Sequence, residues 1–372
     1  MVTRESYAPY NRTNLSKSYL AGTGKKEWLP LRGPDFYETY GIEVVTGVEI
    51  TGVDSEAGHL LLADRPALKY DRLLVATGSV PRILDVPGND LDGIYTLRSL
   101  DDCDAIIGAL DDSMSVAVVG ASFIGLETAW SFRERGKKVT VIAPEEVPFE
   151  ALLGRDIGEM YRVMHQEHGV EFRLGHTVSS FTGDRSVTGV VLNDGSVIEA
   201  DLVLVGIGVR PATGFLDGVS RMEDGGLAVD GKFMVADGIH AAGDVAAVTD
   251  DRTGGRIRIE HWRTAEQQGR YAGFAMAGKP LCYNAVPFFW TTQYGIHLRY
   301  AGHAKEWDGM IVDGDIPSRE FIAYYTSGDR VVAAASMNRD VQMAAFEELM
   351  RDDRVPDAGS IRDCPGCLVD LI

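Results

Sequence analysis

One stretch constrains this chain more than any other: a β-branched strand that runs into a glycine turn and then into a helix. Residues 116–120 read VAVVG, and apolar side chains after Phe123 recur at spacings that share one helical face. Gly136 predicts the end of that helix, and residues 138–142 (KVTVI) predict the next strand. A strand, turn, helix and strand of this length are typical of a dinucleotide-binding βαβ unit.

The two outer glycines of the turn, Gly120 and Gly125, fit that interpretation. Gly120 allows the tight turn, and Gly125 lets the helix pack close to the sheet. The helix N-terminus, with Phe123 and Ile124, then directs free N–H groups at a pyrophosphate. The middle position of the usual G-x-G-x-x-G pattern is Ser122, which adds a Cβ but also a hydroxyl that can donate to phosphate. A plain βαβ crossover with small residues at its turn is the alternative.

The residues after the second strand bear on the type of nucleotide. Ala143 occupies the position where an acidic residue usually contacts the adenosine ribose, and Glu145 and Glu146 follow at once. No arginine or lysine follows nearby in sequence to meet a 2′-phosphate. The sequence therefore favours NADH over NADPH, with a solvated acidic loop as the alternative.

Charge and cysteine usage exclude several classes of protein. The net charge of −19 argues against nucleic acid or an anionic membrane as partner. No apolar run reaches the roughly 18 residues that a membrane span needs. Four cysteines fit a reducing cytoplasm, and the C-x-x-C at residues 364–367 is interpreted as an ordinary polar tail rather than a redox or metal site.

The remaining patterns predict an α/β chain. Strands are expected at 41–50, 60–62, 73–79, 202–211 and 239–245, and after residue 287 strands and hairpins follow. Helices are expected from Thr264 to about Ala277 and, as the last element, from about Val341 to Arg351. His165 and His168 lie three apart on a predicted helix, a spacing that can bind metal; a solvated helix face is the preferred interpretation.

Several separated motifs, in one order, resemble those of the two-dinucleotide flavoprotein reductases. The similarity is greatest to NADH-dependent ferredoxin reductases of oxygenase systems and to apoptosis-inducing-factor-like proteins. The motifs are PYNR at 9–12, LSK at 15–17, ATG at 76–78, PR at 81–82, LRSL at 97–100, FIGLE at 123–127, 206–211, AGD at 242–244, EHW at 260–262 and FW at 289–290.

The resemblance implies an α/β fold with two Rossmann-like nucleotide-binding domains and a C-terminal α+β domain. The FAD domain would be split around the NAD domain, over residues 1–112 and 233–285, with the NAD domain at 113–232 and the C-terminal domain at 286–372. The family's first FAD βαβ unit has no counterpart before Met1 in this sequence, so weak FAD binding is an expectation.

Site residues also follow from the resemblance. Lys17 and Arg98 would contact FAD, Asp244 would hold its ribityl chain, and Trp262 would lie beside the isoalloxazine ring. At the adenosine end of FAD, the backbone of Ile50 would contact the adenine, and Glu5 and Arg12 are candidate contacts. Thr77 and Gly78 are further expected FAD contacts. The residues expected to line NADH are Gly120, Ser122, Phe123, Ile124, Gly125, Glu127, Glu145 and Gly208.

Lys17 and Glu127 are the catalytic candidates. A lysine near N5 stabilises negative charge on a reduced flavin, and a glutamate beside that lysine would pair with it and contact the nicotinamide. Without the resemblance, a solvated loop lysine and a first-turn helix carboxylate would explain both residues. Neither the segment around Lys17 nor residues 113–232 contain cysteine, so disulfide reduction is not expected.

The leading hypothesis is an NADH-dependent flavoprotein that passes single electrons to a ferredoxin or a Rieske-type iron–sulfur protein. Two alternatives stay open: a flavin-poor NADH-binding protein with a signalling role, and an NADH oxidase that gives electrons to oxygen. No resident metal is expected. The oligomeric state is open, with a homodimer among the options.

Overall fold

The computed structural model describes all 372 residues of the chain. The helices are α1 (Pro34–Thr39), α2 (Leu100–Leu110), α3 (Phe123–Glu134), α4 (Glu150–Leu153), α5 (Arg155–Glu167), α6 (Trp262–Met276), α7 (Asp340–Arg351) and α8 (Ala358–Asp363). Short 3-10 turns lie at Arg12–Asn14, Lys26–Trp28, Gly243–Val245 and Cys367–Leu371. No helix is both long and apolar enough to cross a bilayer.

The strands in the first half of the chain are β1 (Ile50–Asp54), β2 (His59–Leu62), β3 (Leu68–Lys69), β4 (Leu73–Val75), β5 (Ser79–Pro81), β6 (Ile94–Tyr95), β7 (Ser115–Val119), β8 (Lys138–Ala143), β9 (Val170–Leu174) and β10 (Val178–Gly183). The later strands are β11 (Val187–Leu192), β12 (Val197–Glu199), β13 (Leu202–Val205), β14 (Val209–Pro211), β15 (Leu227–Ala228), β16 (Met234–Ala236), β17 (Ile239–Ala241), β18 (Ala246–Thr249), β19 (Arg256–Arg258), β20 (Phe288–Gln293), β21 (Ile296–Gly302), β22 (Gly309–Asp315), β23 (Glu320–Ser327) and β24 (Arg330–Met337). The predicted α/β class is confirmed.

The chain forms two compact units. The first comprises Met1–Leu15, Gly24–Pro81 and Val209–Asn284. Its sheets have the strand orders β1-β2-β3, β14-β5, β15-β18-β19 and β16-β17-β4. Strands β4 and β17 run parallel in the core of this unit, and each leads to a glycine with positive φ, Gly78 at 67° and Gly243 at 81°.

The second unit comprises Ser16–Thr23, Arg82–Gly208 and Ala285–Ile372. A parallel sheet of order β6-β13-β7-β8-β9 carries α3 and α5, and its central strands β13, β7 and β8 are nearly continuous buried runs. An antiparallel sheet of order β20-β21-β24-β23-β22 carries α7, and α3 packs against its edge strand β20. The predicted strand–turn–helix–strand is confirmed as β7–α3–β8, with Gly136 just after the helix at φ 74°.

Several local predictions are wrong. Residues 41–49 form no strand, because Val45 exchanges hydrogen bonds with Met1 and Thr3 and pairs with Val2 only in an isolated bridge. Helix α7 is not the last helix, since α8 follows it and buries Ala358 and Ile361.

The interpretation of residues 364–367 as a plain polar tail is also wrong. The sulfurs of Cys364 and Cys367 are bonded, and Leu368 directly after them is buried in the core under the antiparallel sheet. Proximity explains the bond, because the turn after α8 brings the two Cα atoms to 5.5 Å.

The interpretation of His165 and His168 as one solvated face holds only for His168. His168 is exposed and stacks on Tyr294, with ring centroids 3.7 Å apart. His165 is fully buried, because it lies on the inner face of α5 together with Met160, Tyr161 and Met164. No three His, Cys, Asp or Glu side chains converge in a way that could hold a metal ion.

Candidate functional site

The turn between β7 and α3 has room only for glycine at both of its glycine positions. Gly120 has a φ of 112°, and a Cβ placed on it would lie 2.3 Å from the Gly206 carbonyl oxygen. A Cβ on Gly125 would lie 2.0 Å from the carbonyl oxygen of Gly120 itself. Backbone therefore approaches backbone here more closely than any side chain permits.

The N-terminus of α3 has no side-chain cap. Ser122 occupies the N-cap position, but its exposed hydroxyl makes no capping hydrogen bond. The first-turn N–H groups of a helix lack intrahelical partners, so they can bind an anion. Phe123 at this end packs edge-on against Phe289 of β20, with ring centroids 5.0 Å apart, while Ile124 is exposed.

The loop after β8 holds one feature that sequence reasoning missed. Glu145 and Glu146 are both exposed, as a solvated loop requires. Arg155, nine residues after Glu146, places its Nη1 atom 2.5 Å from the Glu146 carboxylate. The hydrogen bond and charge of Glu146 raise the pKa of Arg155. A basic group is thus present at this end of the sheet, because α5 begins beside the loop.

A buried carboxylate lies two residues beyond the glycine turn. Glu127 is only 4% exposed, and Lys17 places its Nζ atom 2.6 Å from Glu127 Oε2. Ser16 donates its hydroxyl to the same oxygen at 2.5 Å, and Thr291 donates to the other oxygen, Oε1, at 2.7 Å. The structure thus brings together Lys17 and Glu127 from segments 110 residues apart.

The segment that carries Lys17 is itself fixed to α3. Ser131 donates its hydroxyl to the carbonyl oxygen of Ser16 at 2.8 Å, and Arg135 donates to the carbonyl oxygen of Leu20. Sequence reasoning missed Ser16 and Thr291 as partners of Glu127. Ser16 lies within the LSK motif and Thr291 directly follows the FW motif, but no spacing in the sequence shows which carboxylate each hydroxyl meets.

The hydrogen bonds continue behind Thr291. Gln293 donates from Nε2 to Thr291 Oγ1 at 3.3 Å, and its Oε1 atom lies 2.6 Å from Nε2 of His165. The hydroxyl of Tyr294 lies 3.1 Å from the other ring nitrogen of His165. Burial lowers the pKa of His165 to about 4, so this imidazole is neutral at neutral pH.

The first unit holds most of the other predicted residues. Asp244, on the 3-10 turn after β17, accepts a hydrogen bond from Ser79 Oγ at 2.9 Å. The hydroxyl of Thr77 donates to the carbonyl oxygen of Ala212 at 2.7 Å. Trp262 begins α6 and is 42% exposed, and Ile50 begins β1.

Two predicted adenosine contacts, Glu5 and Arg12, form an ion pair with each other, and Tyr10 also donates to Glu5. In the second unit, the backbone N–H of Arg98 donates to Asp102 at 3.0 Å, which places Arg98 just before α2. Gly208 follows β13 with a φ of 95°. The predicted residues therefore divide between the two units.

The two cysteines outside the disulfide differ in their exposure. Cys103 is buried in α2, and burial raises the pKa of its thiol to about 12, which makes it a poor nucleophile. Cys282 is exposed near the end of the first unit.

Comparison with known proteins agrees with this arrangement. Residues 1–269 match the family described as pyridine nucleotide-disulphide oxidoreductase, and residues 288–371 match the reductase C-terminal domain. Human apoptosis-inducing factor 3 is 36% identical over 362 residues, which cover 95% of this chain but only 59% of that relative. Rhodocoxin reductase of Rhodococcus erythropolis is 33% identical over 94% of this chain and 82% of its own length.

A solved structure shows the same fold. The covalent putidaredoxin reductase–putidaredoxin complex superimposes with a TM-score of 0.93 at 30% identity, over 100% of this chain and 90% of the matched chain. This chain belongs to the pyridine nucleotide-disulphide oxidoreductase family. Within it, the chain falls in the ferredoxin-reductase branch, which confirms the resemblance found in the sequence.

Proposed function

We propose that this chain is an NADH-dependent reductase that moves electrons through FAD to a ferredoxin. The observation that carries the proposal is the buried Lys17–Glu127 pair, which lies two residues beyond a glycine turn shaped for a dinucleotide. FAD, when bound, accepts a hydride equivalent from the nicotinamide and releases electrons one at a time. The residues of the chain bind, orient and neutralise charge around that chemistry.

The turn between β7 and α3 fits a pyrophosphate. Any Cβ at Gly120 or Gly125 would fill the close approach, and the uncapped N-terminus of α3 offers N–H groups and positive dipole to an anion. Ser122 adds a hydroxyl donor. We assign NADH to this turn, with contacts from Gly120, Ser122, Phe123, Ile124, Gly125, Glu127, Glu145 and Gly208.

The residues assigned to FAD also suit it chemically. Asp244 is a carboxylate that Ser79 orients through one oxygen, so it can accept from a ribityl hydroxyl. Lys17 supplies positive charge for a reduced flavin ring, and Glu127 keeps that ammonium oriented. The full set proposed for FAD is Glu5, Arg12, Lys17, Ile50, Thr77, Gly78, Arg98, Asp244 and Trp262.

We keep the domain boundaries from the sequence as part of the proposal. The FAD domain comprises 1–112 and 233–285, the NAD domain 113–232 and the C-terminal domain 286–372. The two compact units are divided differently, because the second unit groups the parallel sheet with the C-terminal antiparallel sheet.

The acceptor class is proposed from the relatives. Several are ferredoxin reductases by name, and the solved complex pairs a reductase with putidaredoxin. A Rieske-type acceptor, a cytoplasmic location and a homodimer are finer parts of the same proposal.

Replacing Glu127 tests the proposed function. Glu127→Gln removes the charge opposite Lys17, so the limiting rate of flavin reduction by NADH should fall about tenfold, as expected for the loss of roughly 1.4 kcal/mol. Stopped-flow absorbance of the FAD-loaded protein measures this rate. The control is Glu134→Gln, which changes an exposed carboxylate on the same helix. Equal rates for Glu127→Gln and the unmodified protein would refute the assignment.

Nucleotide preference gives a second test. We expect a higher kcat/KM with NADH than with NADPH, because Glu146 occupies Arg155, the basic group at this end of the sheet. Glu146→Gln removes the closest carboxylate charge from Arg155 and leaves only the longer contact with Glu150 at 3.9 Å, so it should raise kcat/KM for NADPH several-fold, up to about the tenfold that 1.4 kcal/mol represents. An unmodified protein that prefers NADPH would contradict the interpretation of residues 143–146.

A further inference from the structure

Strand β20 presents two alternate side chains, Thr291 and Gln293, to the helices of the parallel sheet. Both are essentially fully buried, at 0% and 1% exposure. Residues two apart on a strand point to the same face. Thr291 contacts Glu127 of α3, and Gln293 contacts His165 of α5, while the two strand residues are bonded to each other. One strand thus links two helices through its side chains.

The hydrogen-bonding groups of His165 and Gln293 determine the direction of these hydrogen bonds. Neutral His165 has one N–H, and its Nε2 faces Gln293 Oε1, which can only accept. Nδ1 of His165 is then the acceptor for the hydroxyl of Tyr294. The amide group of Gln293, with its oxygen committed, donates from Nε2 to Thr291. Thr291, having accepted, has its proton available for Glu127 Oε1.

Every group in this series therefore donates towards the carboxylate. We define the donor chain as Tyr294, His165, Gln293 and Thr291, ending at Glu127. The two oxygens of Glu127 therefore have different partners. Oε1 accepts from Thr291 at the end of the donor chain, and Oε2 accepts from Lys17 and Ser16. A terminal carboxylate torsion is otherwise soft, with a broad distribution of angles.

We propose that Thr291 is a positioning residue that holds the Glu127 carboxylate at the angle in which Oε2 meets Lys17. Gln293 supports it from behind. This inference rests on the proposed function, because it concerns the same Lys17–Glu127 pair. Thr291 comes from the C-terminal domain, so that domain contributes directly to the geometry of the nicotinamide and flavin site.

Removing the hydroxyl of Thr291 while keeping its shape provides the test. Thr291→Val in the FAD-loaded protein should lower the limiting rate of flavin reduction by NADH about tenfold, and it should leave the Kd for NADH within about twofold. Thr291→Ser keeps the donor and should retain a rate within about twofold of the unmodified protein. Gln293→Leu leaves the hydroxyl of Thr291 in place without its support, so its rate should lie between these two.

Thr292→Val is the matched control. Thr292 is the next residue on β20, is half-buried, and bonds through its hydroxyl to His297 Nδ1 at 2.7 Å on the neighbouring strand. The rate of flavin reduction in Thr292→Val should not change.

If Thr291→Val does not fold, Thr291→Cys serves instead, because a thiol is of similar size but a weak donor. The rate of flavin reduction in Thr291→Cys should fall about threefold. A full rate in Thr291→Val or Thr291→Cys would overturn the proposal.

A double-mutant cycle separates positioning from a general structural role. In a Glu127→Gln background, Thr291→Val should cause no further loss of rate, because the carboxylate that it positions is gone. Two independent, multiplying losses would overturn the positioning role while leaving the proposed function intact. If Glu127→Gln alone keeps the full rate of flavin reduction, the proposed function fails, and the positioning role fails with it. The rate of the Glu127→Gln single variant therefore distinguishes the two failures.

Discussion

The two five-stranded sheets of the second unit contribute to the site in opposite ways. The parallel sheet provides an anion-binding turn. After β7, Gly120 and Gly125 let backbone approach backbone closely, and α3 begins there without a side-chain cap. The antiparallel sheet provides donors: β20 sends Thr291 and Gln293 into a buried region and satisfies a carboxylate there. An anion that comes and goes needs an open, uncapped helix end, whereas a permanent buried charge needs its partners built in.

Glu127 is the point where both contributions meet. It lies on the helix of the parallel sheet, and it receives a bond from the antiparallel one. Its negative charge also reaches Tyr161 on α5, whose pKa is raised mainly by burial and further by Glu127. The comparison therefore predicts that charge changes around Glu127 cost more stability than steric changes at the turn.

The largest effect is expected from Lys17→Met. This change leaves Glu127 charged and buried without its cation, and breaking a buried pair costs about 3–5 kcal/mol of unfolding free energy. The half-buried surface pair of Arg162 and Glu159 is the control, and Arg162→Met should cost less than about 1 kcal/mol. Urea-unfolding midpoints measure both. Adding Glu127→Gln to Lys17→Met should recover most of the loss; no recovery would mean that Lys17 stabilises the fold in another way.

The next effect concerns pH and His165. Its pKa is about 4 in the folded chain against an ordinary 6.5, so between these values the unfolded chain binds the extra proton. Stability should therefore fall as pH decreases from 6.5 to 4 and then level off, by roughly 3 kcal/mol in total. His165→Gln should remove this part of the slope, whereas His168→Gln, at an exposed position, should keep it. Identical slopes in all three proteins would show that His165 titrates normally.

The smallest of the three effects is steric. Gly125→Ala places a methyl group against the carbonyl oxygen of Gly120. It should lower the free energy of unfolding by about 2 kcal/mol and should also weaken NADH binding. Gly108→Ala is the control: this exposed glycine of α2 has no atom within 4 Å of the new Cβ, so it should stabilise the chain by about 0.5–1 kcal/mol. Thermal unfolding and NADH titration together check the pair. An unaltered Gly125→Ala protein would mean that the turn relaxes at little cost.

Much of the fold was readable from the sequence because its signals are local. The run 116–120, the periodicity of α3 and Gly136 lie within one short stretch and predicted β7, α3 and β8 correctly. Residues 41–50 show where local signals fail, since their alternation suits a strand but no neighbouring strand pairs with residues 41–49. The prediction of a solvated His165 was wrong for the same reason, because the elements that pack on a helix decide which of its faces is buried.

In the candidate site, too, some features were readable from the sequence and others only from the tertiary structure. The sequence by itself determined the glycine turn and, through the resemblance, named Lys17 and Glu127, because backbone conformation and motif order are written along the chain. Only the tertiary structure decided that Ser16 and Thr291 donate to Glu127 and that Arg155 pairs with Glu146. Thr291 is 164 residues from Glu127, so their contact depends on strand register and on the packing of α3 against β20. A hydroxyl has no preferred partner in sequence; its partner is whichever buried acceptor the folded chain brings within reach.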